Sequence, residues 1–387
     1  MNIKELDKAY VAPTYARFPL CLTHGKGSVV YDDCGKEYID LGTGIAVNTF
    51  GFSDDLWVSA VTQQLNTLQH TSNLYYSEPC AKLASVLCER TGMKKVFFSN
   101  SGAEANECAI KVARKYGELN KGAEYTTIIT LKNSFHGRTL TTLAATGQDT
   151  FHKDFLPLTE GFVYAEANNI DSVKELLVSN KCCAVMFEVV QGEGGVLALD
   201  KDFVTALADL AVENDILLVV DEVQTGNGRT GELYGYMNYG ISPDVVSTAK
   251  GLAGGLPMGA TLLGDKVKDI LGAGMHGSTF GGNPVCSAGA LNILSRIDDK
   301  LLAEVKAKSK YIFDAFNGAD GVISVSGMGL MIGIETRRPA GEIIEECMQK
   351  GVLIIKAKQK LRLLPALNID MALLEKAVNI IKEACAK

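Results

Sequence analysis

The sequence predicts an α/β fold with a mostly parallel central sheet covered by helices, and three observations carry that expectation. Short, nearly continuous apolar runs recur at Lys95–Ser99, 126–131, 183–188, 216–221 and 245–248. Segments with helical spacing fall between them, such as 103–116 and 203–214. Strands that lack polar alternation are buried on both faces, as in a parallel sheet held between helical layers. The third observation is length: 387 residues exceed one ordinary core, so more than one domain is expected.

The elements follow in order. Residues 27–40 alternate apolar and polar positions around the turn Asp32-Asp33-Cys34-Gly35, which reads as a hairpin. Residues 55–70 and 78–91 have helical spacing. In 103–116, Ala105, Cys108, Ala109, Val112 and Ala113 fall on one helical face. Beyond about residue 285 the helices lengthen, and two β-like runs at 322–325 and 331–335 interrupt them. This predicts a smaller C-terminal α+β unit, with a boundary near Asn283-Pro284.

Hydrophobic content of 47% and charged content of 21% fit a globular enzyme. The net charge is −7 and no basic stripe stands out, so nucleic acid is not an expected partner. No run of 18 apolar residues occurs, and Met1 to Tyr10 lacks the apolar core of a secretory signal. A cytoplasmic protein without a membrane partner is the expectation. The ten cysteines form no Cys-x-x-Cys pair and the five histidines lack ligand spacing, so no metal is expected and the thiols read as reduced.

Several segments carry candidate chemistry, most of them at the end of a predicted strand. Ser99-Asn100-Ser101-Gly102-Ala103-Glu104 lies where a strand becomes a helix. Ser101 and Glu104 read as an N-cap box, and the free amides of Gly102 and Ala103 with the helix dipole also favour a phosphate. Phe135-His136-Gly137-Arg138 could supply an aromatic face and a carboxylate-binding guanidinium, although a lone Arg after Gly is usually a surface residue. Glu188 and Glu193 bracket a Gly-rich loop whose acids could simply be solvated. Asp221 ends the most apolar strand, where a buried acid needs a partner. Val223 and Gln224 follow it, placed to pack on and hydrogen-bond a ring. Lys250 is hemmed by small and apolar residues, and desolvation would make its amine a better nucleophile than an exposed loop lysine. The loop from Met275 to Pro284 holds two hydroxyls, Ser278 and Thr279, and could donate to a phosphate or serve as a linker. A lysine that condenses with an aldehyde and an aspartate for a pyridinium nitrogen are the two groups a pyridoxal-phosphate enzyme must supply, and Lys250 with Asp221 offers both.

From about Tyr15 to Asn368 these residues resemble the class III, ω-amino-acid family of pyridoxal-phosphate aminotransferases of fold type I. The cues are Gly44-Ile45-Ala46-Val47-Asn48, Thr71-Ser72-Asn73-Leu74-Tyr75-Tyr76, Phe135-His136-Gly137-Arg138, Asp221-Glu222-Val223-Gln224-Thr225-Gly226 and His276-Gly277-Ser278-Thr279-Phe280-Gly281-Gly282-Asn283. The resemblance implies a small domain built from residues 1–50 and 286–387 around a large cofactor-binding domain, 51–285. It implies that Lys250 carries the cofactor and moves the proton, and that Asp221 pairs with the ring nitrogen. Ser101, Gly102 and Ala103 would bind phosphate. Phe135, His136, Glu188, Val223 and Gln224 would surround the ring. Thr279 would reach the cofactor of a second subunit, which implies a homodimer. Arg138 would hold a substrate carboxylate, Ser278 would line the substrate path, and Glu193 would mask Arg362 until a dicarboxylate frees it. The implied reaction moves the δ-amino group of N2-acetylornithine to 2-oxoglutarate, giving glutamate, in arginine biosynthesis. Succinylornithine, ornithine or 4-aminobutyrate would be sister substrates. An aminomutase of the same fold and a non-enzymatic module that binds the cofactor are the remaining alternatives. The chain departs from the family pattern at Gly51-Phe52-Ser53-Asp54-Asp55, at Val189 and at Ala103.

Overall fold

The computed structural model describes residues 2–387. Seven strands form the central sheet: Lys95–Ser99 (β1), Thr127–Leu131 (β2), Phe162–Ala165 (β3), Cys182–Phe187 (β4), Leu217–Asp221 (β5), Val245–Thr248 (β6) and Gly259–Leu263 (β7). Their spatial order is β1-β7-β6-β5-β4-β2-β3. The pairs β6-β5, β5-β4, β4-β2 and β2-β3 are parallel. Every residue of β4, β5, β6 and β7 is buried, which explains their unbroken apolar character.

β7 is the exception that the apolar pattern did not reveal. It runs antiparallel to both β6 and β1. The connection from β6 spans only 249–258 and holds a single 3-10 turn, Lys250–Ala253. That is too short for the helical crossover a parallel strand requires, so the chain returns directly. The same tight return leaves Lys250 at the carboxyl ends of β5 and β6.

The helix Gly102–Asn120 buries Ala105, Cys108, Ala109, Val112 and Ala113, the face its spacing indicates. It outlasts the predicted segment by one turn. The helix Asp55–Leu65 is shorter than predicted. Residues 66–70 are exposed, so no apolar surface rewards another turn. The helix Glu78–Thr91 ends on Gly92, whose φ of 76° is the left-handed cap that favours glycine.

The hairpin expected in 27–40 forms from Val29–Asp32 and Glu37–Asp40. Asp32 fixes its turn by accepting from the amides of Cys34 and Lys36 at 2.9 and 2.8 Å. Val352–Leu353 then pairs in parallel with Ile39 and Asp40, joining the two ends of the chain in one sheet. A second antiparallel sheet contains Val322–Met328, Met331–Thr336, Lys360–Leu363 and Ile355–Ala357. Its register sets Gly333 opposite Arg362, whose side chain leaves the C-terminal segment to meet Glu193 and Gln224. Among the described residues, no helix is long and apolar enough to cross a membrane.

Candidate active site

The loops that leave the carboxyl ends of β1, β2, β4, β5 and β6 converge on one cavity of about 400 Å³. That is where open α/β sheets bind ligands. Ser101, Gly102, Ala103, Phe135, His136, Arg138, Glu188, Glu193, Asp221, Val223, Gln224 and Lys250 all line it. Ser278, Thr279 and Arg362 do not.

Asp221 is the last residue of β5 and is buried. Three protein donors surround it. The Asn106 amide reaches Oδ2 at 2.7 Å, the His136 ring Nδ1 lies 2.8 Å from the same oxygen, and the Val223 amide reaches Oδ1 at 3.0 Å. Such a set satisfies both oxygens of a buried carboxylate and fixes its orientation. Asn106 also donates to the His136 carbonyl at 2.7 Å, so one side chain aligns both neighbours. The sequence reading passed over Asn106, yet a signal existed: it is an amide among the small apolar residues of the buried helix face. Glu188 serves the loops instead of pointing freely into the cavity. Its two oxygens accept from the amides of Phe135 and Gly192 at 2.8 and 3.2 Å. Burial raises its pKa, opposed by the nearby His136.

Lys250 faces the same cavity with φ of 45°, a left-handed conformation that costs a non-glycine residue energy and recurs at functional sites. Burial pulls its pKa down, partly offset by Glu193, while Arg362 pulls it down further. An amine in this setting is easier to deprotonate and so a better nucleophile. The loop 42–46 beside it is also unusual. Thr43, Gly44, Ile45 and Ala46 all have positive φ, and Asp40 holds the turn by accepting from the amides of Gly42 and Thr43.

At another wall of the cavity, Ser101 caps the helix Gly102–Asn120 by accepting from the Glu104 amide at 3.2 Å. The Glu104 carboxylate reaches the Asn100 amide instead of the Ser101 amide, so the reciprocal arm of the expected box falls one residue early. The carboxylate also accepts from the Asn100 side chain and the Ser101 hydroxyl, which draws it over that residue. The amides of Gly102 and Ala103 lie in the first turn, where no helical carbonyl is available to them. A Cβ at Gly102 would sit 2.6 Å from Val223 Cγ1, so only glycine brings the backbone this close to Val223. Amine, opposed carboxylate and amide cradle around one cavity fit a phosphorylated pyridine aldehyde.

Arg138 is exposed, and no carboxylate pairs with it among the described residues. Its guanidinium lies 4.4 Å from the Phe151 ring centre and 5.6 Å from that of Phe135. Aromatic stacking thus orients a cation whose hydrogen bonds stay open to a ligand. Arg362 is the opposite case. It is buried and donates to Glu193 at 2.6 Å, with a longer contact to Gln224 at 3.4 Å. One arginine is therefore open and the other occupied.

Ser278 and Thr279 line a separate cavity with residues of 70–84. Ser278 accepts from the Asn100 side chain at 3.1 Å and the Gly281 amide at 2.9 Å. Within one chain, Ser278 meets the cavity around Lys250 only through Asn100, which lines it, and Thr279 does not line it.

The chain matches the family described as aminotransferase class-III over residues 10–385. It is 49% identical to an acetylornithine aminotransferase of Haemophilus ducreyi, with 100% of this chain and 99% of that protein aligned. An N-acetylornithine aminotransferase from Stenotrophomonas maltophilia superposes with a TM-score of 0.86 at 34% identity, covering 99% of this chain and 98% of that one. A Toxoplasma gondii ornithine aminotransferase structure, described as having partial occupancy of PLP at its active site, superposes with a TM-score of 0.94 at 27% identity, covering 99% and 93%.

Proposed function

The chain belongs to the class III aminotransferases, and from that premise we propose that it transfers the δ-amino group of N2-acetylornithine to 2-oxoglutarate in arginine biosynthesis. The observation that carries this reading is a pair of arginines, Arg138 open on the cavity and Arg362, behind its lining, masked by Glu193, which lines it. A site that takes a substrate with one carboxylate and then one with two needs such a pair.

The cofactor is pyridoxal phosphate, which when bound supplies an electron sink for the carbon bearing the transferred nitrogen. Lys250 would anchor it covalently. Once displaced by the incoming amine, the Lys250 Nζ would carry the proton from the substrate δ-carbon. Asp221, held by Asn106, His136 and Val223, would keep a proton on the ring nitrogen. The Gly102 and Ala103 amides would bind the phosphate, with Ser101 shaping the turn. Phe135 and Val223 would flank the ring, and Gln224 would meet its hydroxyl. Arg138 would hold the α-carboxylate of N2-acetylornithine and the distal carboxylate of glutamate. In the second half-reaction the dicarboxylate would displace Glu193 from Arg362. Thr279, set apart from Lys250 in one chain, would complete the site of a second subunit in a homodimer, with Ser278 on the substrate path. A cytoplasmic location suits this role.

The test is a titration of purified holoenzyme with N2-acetylornithine, ornithine, succinylornithine and 4-aminobutyrate, following the visible absorption of the lysine-bound cofactor. Loss of that absorption at the lowest concentration of N2-acetylornithine supports the assignment. A better response to another amine reassigns the substrate, and no such absorption removes the roles given to Lys250 and Asp221.

A further inference from the structure

A guanidinium without a carboxylate partner lies buried behind the active site. Arg229 is 3% exposed, and its Nη1 donates to the carbonyls of Leu330 at 3.1 Å and Pro365 at 2.5 Å. No acid pairs with it among the described residues, and burial alone pulls its pKa down to about 9. A buried cation satisfied only by carbonyls stabilises a fold poorly compared with an apolar side chain of the same size. The contacts it makes are informative, because both lie at one end of a strand pair that carries Arg362. Leu330 precedes the strand Met331–Thr336, which pairs with Lys360–Leu363 in the register Gly333 to Arg362. Pro365 lies three residues beyond Arg362.

The loop that carries Arg229 also grips the base of Lys250. Asn227 donates to the Thr248 hydroxyl and the Ala249 carbonyl, each at 3.2 Å. Gly228 packs so closely on the C-terminal segment that a Cβ would fall 2.8 Å from Leu367 Cδ1. The loop thus touches the lysine's segment with one residue and the segment around Arg362 with others. Lys308 assists from the far side, donating to the Leu367 carbonyl at 2.9 Å.

We propose that Arg229 is a positioning residue that fixes Arg362 relative to Lys250 and so sets the affinity for the dicarboxylic substrate. This rests on the carboxylate-binding role of Arg362 given above. Arg229 touches no reacting atom. Its Nη1 joins two carbonyls at one end of the paired strands, Leu330 before the neighbouring strand and Pro365 just beyond the strand bearing Arg362, and so ties that end to the loop that grips the Lys250 segment.

The test uses holoenzyme and two unreactive ligands, glutarate, which needs both arginines, and valerate, which needs only Arg138. In R229M the glutarate Kd should rise about tenfold while the valerate Kd stays within about twofold, the loss expected when one charge-assisted contact is misplaced. In turnover, KM for 2-oxoglutarate should rise while KM for the amine donor holds. R229K keeps the charge but carries its donor on a shorter, flexible stem, and should show the same split more weakly. It carries the test if R229M does not fold. Equal loss of both ligands, or loss of neither, overturns the proposal. Wild-type protein that binds valerate but not glutarate overturns the reading of Arg362, and the role of Arg229 with it.

Discussion

Replacing Glu193 by glutamine tests the masking of Arg362 directly. The pair is close, with Arg362 Nη1 to Glu193 Oε1 at 2.6 Å. Its two sides differ in exposure: the Arg362 side chain is 3% exposed and that of Glu193 31%. Two unit charges about 4 Å apart interact by roughly 4 kcal/mol at an effective dielectric of about 20. Water on the Glu193 side screens this, and the glutamine retains a hydrogen bond, so about 1–2 kcal/mol of competition should disappear. A dicarboxylate must displace Glu193 to reach Arg362, so its binding should tighten by roughly five- to thirtyfold in E193Q. N2-acetylornithine leaves the pair intact, so its affinity should change little. Calorimetric titration of holoenzyme with glutarate and a kinetic titration of the amine half-reaction measure the two effects. Unchanged or weaker glutarate binding would refute the masking argument, since it would mean that Glu193 does not compete for Arg362.

Three further expectations can be measured on simple variants. K250A should keep the cofactor non-covalently and lose turnover; retained turnover would remove Lys250 from the chemistry. G102A should weaken cofactor retention, because its Cβ would meet Val223 Cγ1 at 2.6 Å, and equilibrium dialysis that finds unchanged retention would reject the close approach. Glu222 provides a pH test. Its buried carboxyl accepts from Thr225, Gly235 and Tyr236, but burial outweighs those bonds and raises its pKa from 4.5 to about 7. The folded protein then keeps a proton that the unfolded chain releases. Its contribution is full below pH 4.5 and is lost as pH rises to about 7, on the order of 3 kcal/mol in all. Urea midpoints across that range should therefore fall less steeply in E222Q; an unchanged slope would reject the assignment. Glu188 shifts in the same direction, so the slope should shrink without vanishing.

Much of the site was legible because its residues end strands. Apolar runs are read from local sequence, and the residue after each run lies at the carboxyl edge where α/β sheets bind ligands. Local sequence alone thus places Ser101, Phe135, Glu188, Asp221 and Lys250 near one another. β7 was not legible, since Gly259–Leu263 is a short apolar run whose direction depends on the length of the connection before it. Helix limits were also approximate, because exposure decides where Asp55–Leu65 stops and local spacing does not report exposure.

What escaped the sequence has a common physical character. Asn106, Asn227 and Arg229 are polar side chains whose partners lie far along the chain, at Asp221, Ala249 and Pro365. None ends an apolar run; Asn106 is marked only by its place on an apolar helix face, and no local pattern distinguishes Asn227 and Arg229 from a solvated amide or a surface arginine. Yet each is buried, and a buried donor is costly unless its acceptors are fixed in place. That requirement works in both directions. Carbonyls at Ala249 and Pro365 satisfy the donors, and the donors in turn hold the segments that present Lys250 and Arg362. The residues aimed at the ligand are therefore readable from strand ends, whereas those that hold them in place appear only once distant segments meet.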